Sequence, residues 1–167
     1  SSDFIKTTPN RIKTSLLKKP HDNVIITSKN GVEALLNNCA AEDLKFKTIY
    51  CVGRRTKKRI EQKIGPVKHS AKNAKILAEH LVEFLDGTEV SYFCSDVRMD
   101  DLPTILTKNN IKVNEIAAYS TKLEAPKLPE SVEGVMFYSP STIHSFLKNN
   151  TPSCIAYCIG ETTAREA

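Results

Sequence analysis

Four short stretches of this sequence have the residue types and spacing to hold an anion. Gly134-Val-Met-Phe-Tyr138 is an apolar run of strand length that stops at Ser139-Pro140-Ser141-Thr142 and continues in a helix-period pattern. Ser139 is of the type that caps a helix, and Pro140 sits where helices accept proline, in the first turn. The construction recurs three times. Val24-Ile-Ile-Thr-Ser28 leads into Lys29-Asn30-Gly31, Thr48-Ile-Tyr-Cys-Val-Gly53 into Arg54-Arg55-Thr56, and Ile155-Ala-Tyr-Cys-Ile-Gly160 into Glu161-Thr162-Thr163. Each such turn aims unpaired backbone N–H groups and hydroxyls at one point, and that point favours negative charge.

One turn of this kind usually does no more than cap its helix. Four of them, all at the carboxyl ends of expected strands, carry more weight, because open α/β sheets bind ligands along that edge. The implied ligand has several negative groups. No residue pairs with a neighbour as a nucleophile would with its base.

The elements that position these turns follow from the pattern. With 167 residues, the chain is long enough for one ordinary domain or two small α/β lobes. Hydrophobic content of 40%, charged content of 26% and a net charge of +5 describe a globular protein suited to an anionic partner. Continuous β-branched or aromatic runs predict strands at Val24 to Thr27, Lys47 to Val52 and Glu89 to Cys94, with a short one at Val67 to Ser70. Asp3 to Thr8 and Ile111 to Thr121 read as extended segments. Helices are expected at Gly31 to Asn38, Arg54 to Ile64, Asn73 to Leu85 and Asp101 to Asn109, and a basic one at Arg11 to Lys19. In the third of these, Ile76, Leu77, His80, Leu81 and Phe84 stand at helical spacing. Glu124 to Ser131, with two prolines and no periodicity, reads as a linker. A fresh strand–helix–strand–helix then runs from Gly134 to the end. Alternating strands and helices argue parallel sheets.

The five cysteines, Cys39, Cys51, Cys94, Cys154 and Cys158, are expected as buried thiols of a reducing compartment, the cytoplasm. They make no ligand spacing with His21, His69, His80 or His144, so neither metal nor disulfide is expected. Neither a transmembrane span nor a signal peptide is expected. The last strand–helix pairs are too few to bury a core alone, so further sequence of this lobe is expected at both ends of the chain.

At this point a family resemblance emerges. Ile26-Thr-Ser-Lys-Asn-Gly-Val-Glu-Ala34, Tyr50-Cys-Val-Gly-Arg-Arg-Thr56, Ile116-Ala-Ala-Tyr-Ser-Thr121, Phe137-Tyr-Ser-Pro-Ser-Thr142 and Ile159-Gly-Glu-Thr-Thr-Ala164 stand in the order and spacing of the uroporphyrinogen-III synthases. Each motif is weak alone; the ordered set resembles that family over nearly the whole chain. The resemblance implies an α/β protein of two doubly wound parallel-sheet lobes joined by a two-stranded linker, with the active site in the cleft between lobes. One lobe would be continuous, residues 9–117. The other would be discontinuous and include 125–167, and residues 1–8 and 118–124 would be the linker strands. The last turn departs from the family's usual Gly-Pro-Thr-Thr by placing Glu161 at the proline. A carboxylate there favours the helix by about 0.3–1 kcal/mol but would repel an acidic substrate, so it is expected to point away.

The family's reaction closes hydroxymethylbilane, an acidic linear tetrapyrrole, into uroporphyrinogen III with loss of water and inversion of the last pyrrole, as in haem biosynthesis. Positioning so acidic a substrate needs many modest contacts. Thr27, Ser28, Thr56, Ser139, Ser141, Gly160, Thr162 and Thr163 are the expected substrate contacts, with Arg98, after a strand end, as a further one. Arg54 or Arg55 is expected beside Thr56. The resemblance places Tyr119 where the family's proposed proton donor stands, and a phenol donates without being charged at neutral pH. On sequence alone, Tyr119 reads first as a half-buried aromatic of a strand, the Ser and Thr residues read as caps, and the basic run from Arg54 reads as a solvated helix face.

The resemblance implies a lyase without cofactor or metal. A monomer is expected, with no nucleic acid or membrane partner, in passing contact with the preceding pathway enzyme. Two other readings stand beside it. A non-catalytic two-lobed anion-binding module would share the turns. A basic nucleic-acid-binding domain would share the charge, but Glu61 interrupts the basic run and no aromatic platform or zinc-finger pattern accompanies it.

Overall fold

Strand β2 (His21–Ile26) ends in three fully buried residues, Val24, Ile25 and Ile26. A strand has no polar face when both of its sides are covered. The computed structural model describes residues 3–97 and 100–167. Contacts divide the chain into two units. One is Thr8–Ser120; the other joins the segment up to Thr7 to Thr121–Ala167.

In the continuous unit, β2 is followed by α2 (Lys29–Asn38), β3 (Phe46–Val52), α3 (Arg54–Lys63), β4 (His69–Ala71), α4 (Ala74–Val82), β5 (Glu89–Ser95), α5 (Asp101–Lys108) and β6 (Lys112–Leu123). A strand β1 (Ile5–Pro9) and a short helix α1 (Thr14–Lys18) precede them. The sheet order is β1-β6-β5-β2-β3-β4, and β2 to β6 pair in parallel. The chain thus winds outward from β2 to β4, crosses back to β5 and winds outward again. That is a doubly wound sheet, with its reversal between β2 and β5.

Period-two alternation sorts the strand residues onto two faces. Val24, Ile26, Ile49, Cys51 and Phe93 meet Leu17, Val32, Leu35 and Ile60 from α1, α2 and α3. Ile25, Tyr50, Val90, Tyr92 and Cys94 meet Leu77, Leu81, Leu102 and Leu106 from α4 and α5. Fully burying one such aliphatic side chain is worth about 1.5–3 kcal/mol, so two continuous layers hold the sheet.

Two expected helices change. The basic helix expected from Arg11 to Lys19 is only Thr14–Lys18. Asn38 holds the chain before it: its Oδ1 accepts from Ile12 N–H at 2.8 Å and its amide donates to the Asn10 carbonyl at 2.8 Å. In α4, Leu77, Ala78 and Leu81 are buried, whereas Ile76 is exposed, as is Phe84, two residues beyond its end, by 67%. The line Ile76–His80–Phe84 lies one residue, about 100°, around the helix from the buried line. His80 there stacks on His69 of the edge strand, with ring centroids 3.7 Å apart. Among the thiols, Cys39, Cys51 and Cys94 are buried, but Cys154 and Cys158 are only half-buried.

The other unit contains β7 (Gly134–Phe137), α6 (Pro140–Asn149), β8 (Ile155–Cys158) and α7 (Glu161–Glu166), and β7 and β8 are parallel. Its core is Phe4, Val135, Phe137, Ile143 and Phe146. The opposite face of the two strands carries Met136, Tyr138 and Tyr157, all exposed. Residues 124–133 form no helix or strand, as the prolines suggest, yet they are tied to α6. The fully buried Ser145 hydroxyl donates to the Phe4 carbonyl and accepts from Ala125 N–H. Asn150 accepts from Leu128 N–H at 2.7 Å and donates to the Pro126 carbonyl at 2.8 Å.

One polar group is buried at the amino end of the main sheet. His21 places Nε2 2.8 Å from the Leu16 carbonyl and Nδ1 2.7 Å from Ser91 Oγ. A carbonyl only accepts, so Nε2 carries the proton and Nδ1 accepts from the serine. Burial pushes the imidazole below its ordinary value of 6.5, with Lys19 acting in the same direction and the Leu16 carbonyl and Glu89 against it. The unfolded chain therefore binds more protons than the folded one. The stability His21 supplies is complete above about pH 6.5 and declines as pH falls below it. Urea unfolding at pH 7.5 and 5.5 is expected to show a loss of stability that His21→Gln reduces; an equal loss in the variant would place the acid sensitivity elsewhere. Ser91→Ala, which leaves Nδ1 without a donor, is expected to cost about 1–3 kcal/mol at neutral pH.

Candidate active site

The carboxyl ends of β2 and β5 flank the point where the winding reverses, and the crevice there is where such sheets take ligands. After β2 the chain passes Thr27 and caps α2 with Ser28, whose Oγ accepts from Gly31 N–H at 3.2 Å. The N–H groups of Lys29 and Asn30 belong to the first turn and have no partner within the helix. Gly31 lets this helix start lie against the sheet. A β-carbon there would stand 3.2 Å from Ile26 Cγ2 and 3.5 Å from the Phe93 carbonyl oxygen. Thr27 Oγ1 lies 3.2 Å from the Tyr92 hydroxyl.

After β5 come Ser95 and Asp96. The Ser95 hydroxyl donates to Asp96 Oδ1 at 3.1 Å, and Val97 N–H closes the turn on the same two oxygens, at 3.2 and 2.8 Å. On β6, the register against β5 shifts between Cys94, which faces Ala117, and Ser95, which faces Tyr119. The extra residue is a bulge, and its effect is to turn the next side chain over. Strict alternation would set Tyr119 on the opposite face from Ile116 and Ala118; with the bulge all three share the face of α2.

Tyr119 is only 9% exposed, and its oxygen lies 2.8 Å from Ser28 Oγ. Burial raises its phenol above the ordinary 10; Cys94 and Asp96 push the same way, while the Ser28 and Ser95 hydroxyls pull it back. The phenol is therefore protonated at neutral pH and available as a donor.

On the next strand, Gly53 stands at φ +82°, a backbone state glycine adopts without strain, between β3 and α3. Thr56 follows in the first turn, buried, and Arg54 and Arg55 beside it are exposed. The rest of the basic run is partly engaged. Arg59 grips Glu33 through two bonds of 2.6 and 3.0 Å, which braces α3 against α2, and Lys57 faces Glu61 at 3.8 Å.

In the other unit, two turns follow adjacent parallel strands. Ser139 caps α6 and Pro140 is its first residue. Thr142 donates to the Ser139 carbonyl at 2.6 Å, and the hydroxyls of Ser139 and Ser141 lie 2.9 Å apart. Gly160 precedes α7 in extended backbone; Thr162 and Glu161 are exposed and Thr163 is buried. His144 is exposed and reaches Glu166 at 2.6 Å. Arg98 lies outside the described residues.

Of the expected site residues, the structure brings Ser28 and Tyr119 into direct contact and sets Thr27 and Thr56 along the same sheet edge. It joins Ser139 to Ser141. Ser95 and Asp96 were not expected at the site; their signal is a Ser-Asp pair at the carboxyl end of the strand beside the reversal. Among the described residues, no three His, Cys, Asp or Glu side chains are grouped to hold a metal, and no helix is long and apolar enough to cross a membrane.

Comparison with known proteins bears on this geometry. The family model described as uroporphyrinogen-III synthase HemD matches residues 3–167. The porphyrin biosynthesis protein HemD of Ruminiclostridium josui is 26% identical over 165 residues, covering 86% of this chain and 32% of that protein. The chain thus spans about a third of the length of that curated relative. A mutant uroporphyrinogen III synthase of the extremely thermophilic bacterium Thermus thermophilus superposes with a TM-score of 0.71 at 13% identity, over 98% of this chain and 76% of that one. The uroporphyrinogen-III synthetase of Helicobacter pylori gives 0.67 at 22% identity, over 97% and 78%. At these identities the two structures establish the α/β fold, and the family model spans the turns and strands just described: the chain belongs to the uroporphyrinogen-III synthase family.

Proposed function

We propose that this protein closes hydroxymethylbilane to uroporphyrinogen III, with loss of water and inversion of the last pyrrole, as a lyase of tetrapyrrole biosynthesis. The observation that carries this reading is the Tyr119 phenol, neutral and held 2.8 Å from the cap of α2 at the reversal of the sheet. The five cysteines, none in a disulfide among the described residues, suit the cytoplasm.

The substrate's carboxylates are taken by helix starts. In the continuous unit these are Thr27 and the first-turn amides that follow Ser28 at α2, and Thr56 at α3. In the other they are Ser139 and Ser141 at α6 and Gly160, Thr162 and Thr163 at α7. Each start offers backbone N–H groups and hydroxyls to an anion, and none of these donors must change charge to do so.

Tyr119 acts on the leaving group. The bond between the terminal methylene carbon and the hydroxyl oxygen breaks, and its electron pair goes to the oxygen. The phenol proton follows, so that water departs. The pyrrole nitrogen supplies the electrons that replace the lost bond. Ring closure then forms a carbon–carbon bond at the substituted carbon of the last pyrrole; the older bond from that carbon to the methylene of the preceding pyrrole breaks, and that methylene bonds the ring's unsubstituted carbon, whose proton is lost. The proton released as the pyrrole regains aromaticity returns the phenolate to phenol. The protein chain thus supplies one proton, transiently, and a fixed geometry.

Tyr119→Phe is expected to lower kcat by about 10²-fold, at the low end of what a general acid contributes, with KM little changed. Because the bilane also closes spontaneously without inversion, the product should shift toward the type I isomer. A variant with parental rate and pure type III product would remove Tyr119 as the donor and leave the anion-binding half of the mechanism. Single changes such as Ser139→Ala or Thr163→Ala are expected to raise KM by the equivalent of about 0.5–2 kcal/mol each, since the backbone donors survive. Steady-state kinetics that found these larger than the Tyr119 effect would contradict the division of roles.

A further inference from the structure

We infer that Ser28 is a positioning residue that couples the amino end of α2 to the Tyr119 phenol, donating its hydroxyl proton to the phenol oxygen so that Tyr119 keeps its own proton for the substrate. The inference rests on the reading of Tyr119 as proton donor and assigns Ser28 a role other than contact with substrate carboxylate.

A serine hydroxyl has one proton and two lone pairs. Gly31 N–H occupies one lone pair of Ser28 Oγ at 3.2 Å, and the Tyr119 oxygen stands 2.8 Å away. The first-turn amides of α2 already point their protons at this spot. A Ser28 proton turned back toward them would meet like partial charge, whereas one turned to Tyr119 meets an oxygen lone pair. In that arrangement the phenol accepts from Ser28, and its O–H is free of the pair.

The contact gains strength as the reaction proceeds. When the phenol gives up its proton, the serine donates to a charged oxygen, and bonds to charged acceptors are about twice as strong as neutral ones. The Gly31 N–H polarises the same hydroxyl, which adds to the effect. Burial, the Cys94 thiol and the Asp96 carboxylate oppose the charge, and among the groups that favour it Ser28 is the largest; the Ser95 proton is already given to Asp96. An interaction stronger after proton transfer than before acts on kcat rather than on KM.

Two measurements on the intact protein test this. In the first, 3-fluorotyrosine is placed at position 119, its more acidic phenol titrating where the fold survives, and its absorbance is followed against pH. Ser28→Ala and Ser28→Gly should both move the midpoint upward, and Ser28→Thr should restore it. The glycine variant keeps most of the helix cap, so a shift in both separates the lost hydroxyl from a lost cap. In the second, kcat should fall by about 10- to 100-fold in Ser28→Ala with KM little changed, the worth of one bond to a group that becomes charged. Added to Tyr119→Phe, the same change should cost nothing more. An unmoved midpoint in folded Ser28→Ala and Ser28→Gly would overturn the coupling, as would losses that multiply in the double variant. If Tyr119→Phe itself keeps full kcat, the donor reading fails, while the fluorotyrosine midpoint still decides whether Ser28 is coupled to the phenol.

Discussion

The 2.8 Å contact between the oxygens of Tyr119 and Ser28, residues 91 apart in sequence, joins β6 to the first turn of α2. It exists only because three independent features agree. The doubly wound order sets β5 between β2 and β6, so the carboxyl ends of these strands lie along one edge. The bulge against β5 turns Tyr119 onto the face that α2 covers. Gly31, without a side chain, lets the helix start come down onto Ile26 and the Phe93 carbonyl. An added β-carbon at position 31 would stand 3.2 Å from Ile26 Cγ2, which would have to give by a few tenths of an ångström, and 3.8 Å from Ser28 Oγ itself.

The energetics around this contact divide by distance from it. The two apolar layers hold the sheet and leave the edge free to be polar. The Arg59–Glu33 fork braces α3 against α2, although its exposed position means that solvent screens much of its strength. His21 and Ser91 sit at the other end of the same sheet, fully paired, so pH acts on stability there without acting on the phenol. In the second unit Ser145, Asn149 and Asn150 perform for residues 124–133 what a ladder does for a strand: they give backbone groups in an irregular segment their partners.

Much of the fold was legible because it is local. The buried run Val24-Ile25-Ile26, the cap at Ser28, glycine before α3 and proline in the first turns of α5 and α6 are each written within a few residues. The capping role of Ser28 was visible for that reason. Its pairing with Tyr119 was not, because a bulge leaves no signature in β6 beyond three consecutive small or aromatic residues, Ala117-Ala118-Tyr119. Helical spacing also misled at α4. It groups Ile76 and Phe84 with Leu77 and Leu81, but only one line of a helix touches a sheet, and the width of that contact is set by the strands beneath it. The short α1 was likewise decided by a distant residue, Asn38, which takes the backbone groups that a longer helix would have used. Ser95 and Asp96 became site residues only once β5 was known to border the reversal.

On the proposed mechanism, these helix starts and this phenol impose inversion on a polycarboxylate that otherwise closes without it. The most direct measurement is isomer analysis of the uroporphyrinogen formed when the intact, unsubstituted protein is given freshly made hydroxymethylbilane, beside a protein-free control. The expected result is predominantly the type III isomer, at a rate proportional to protein concentration. Type I product at the rate of the control, from protein shown to be folded, would contradict it.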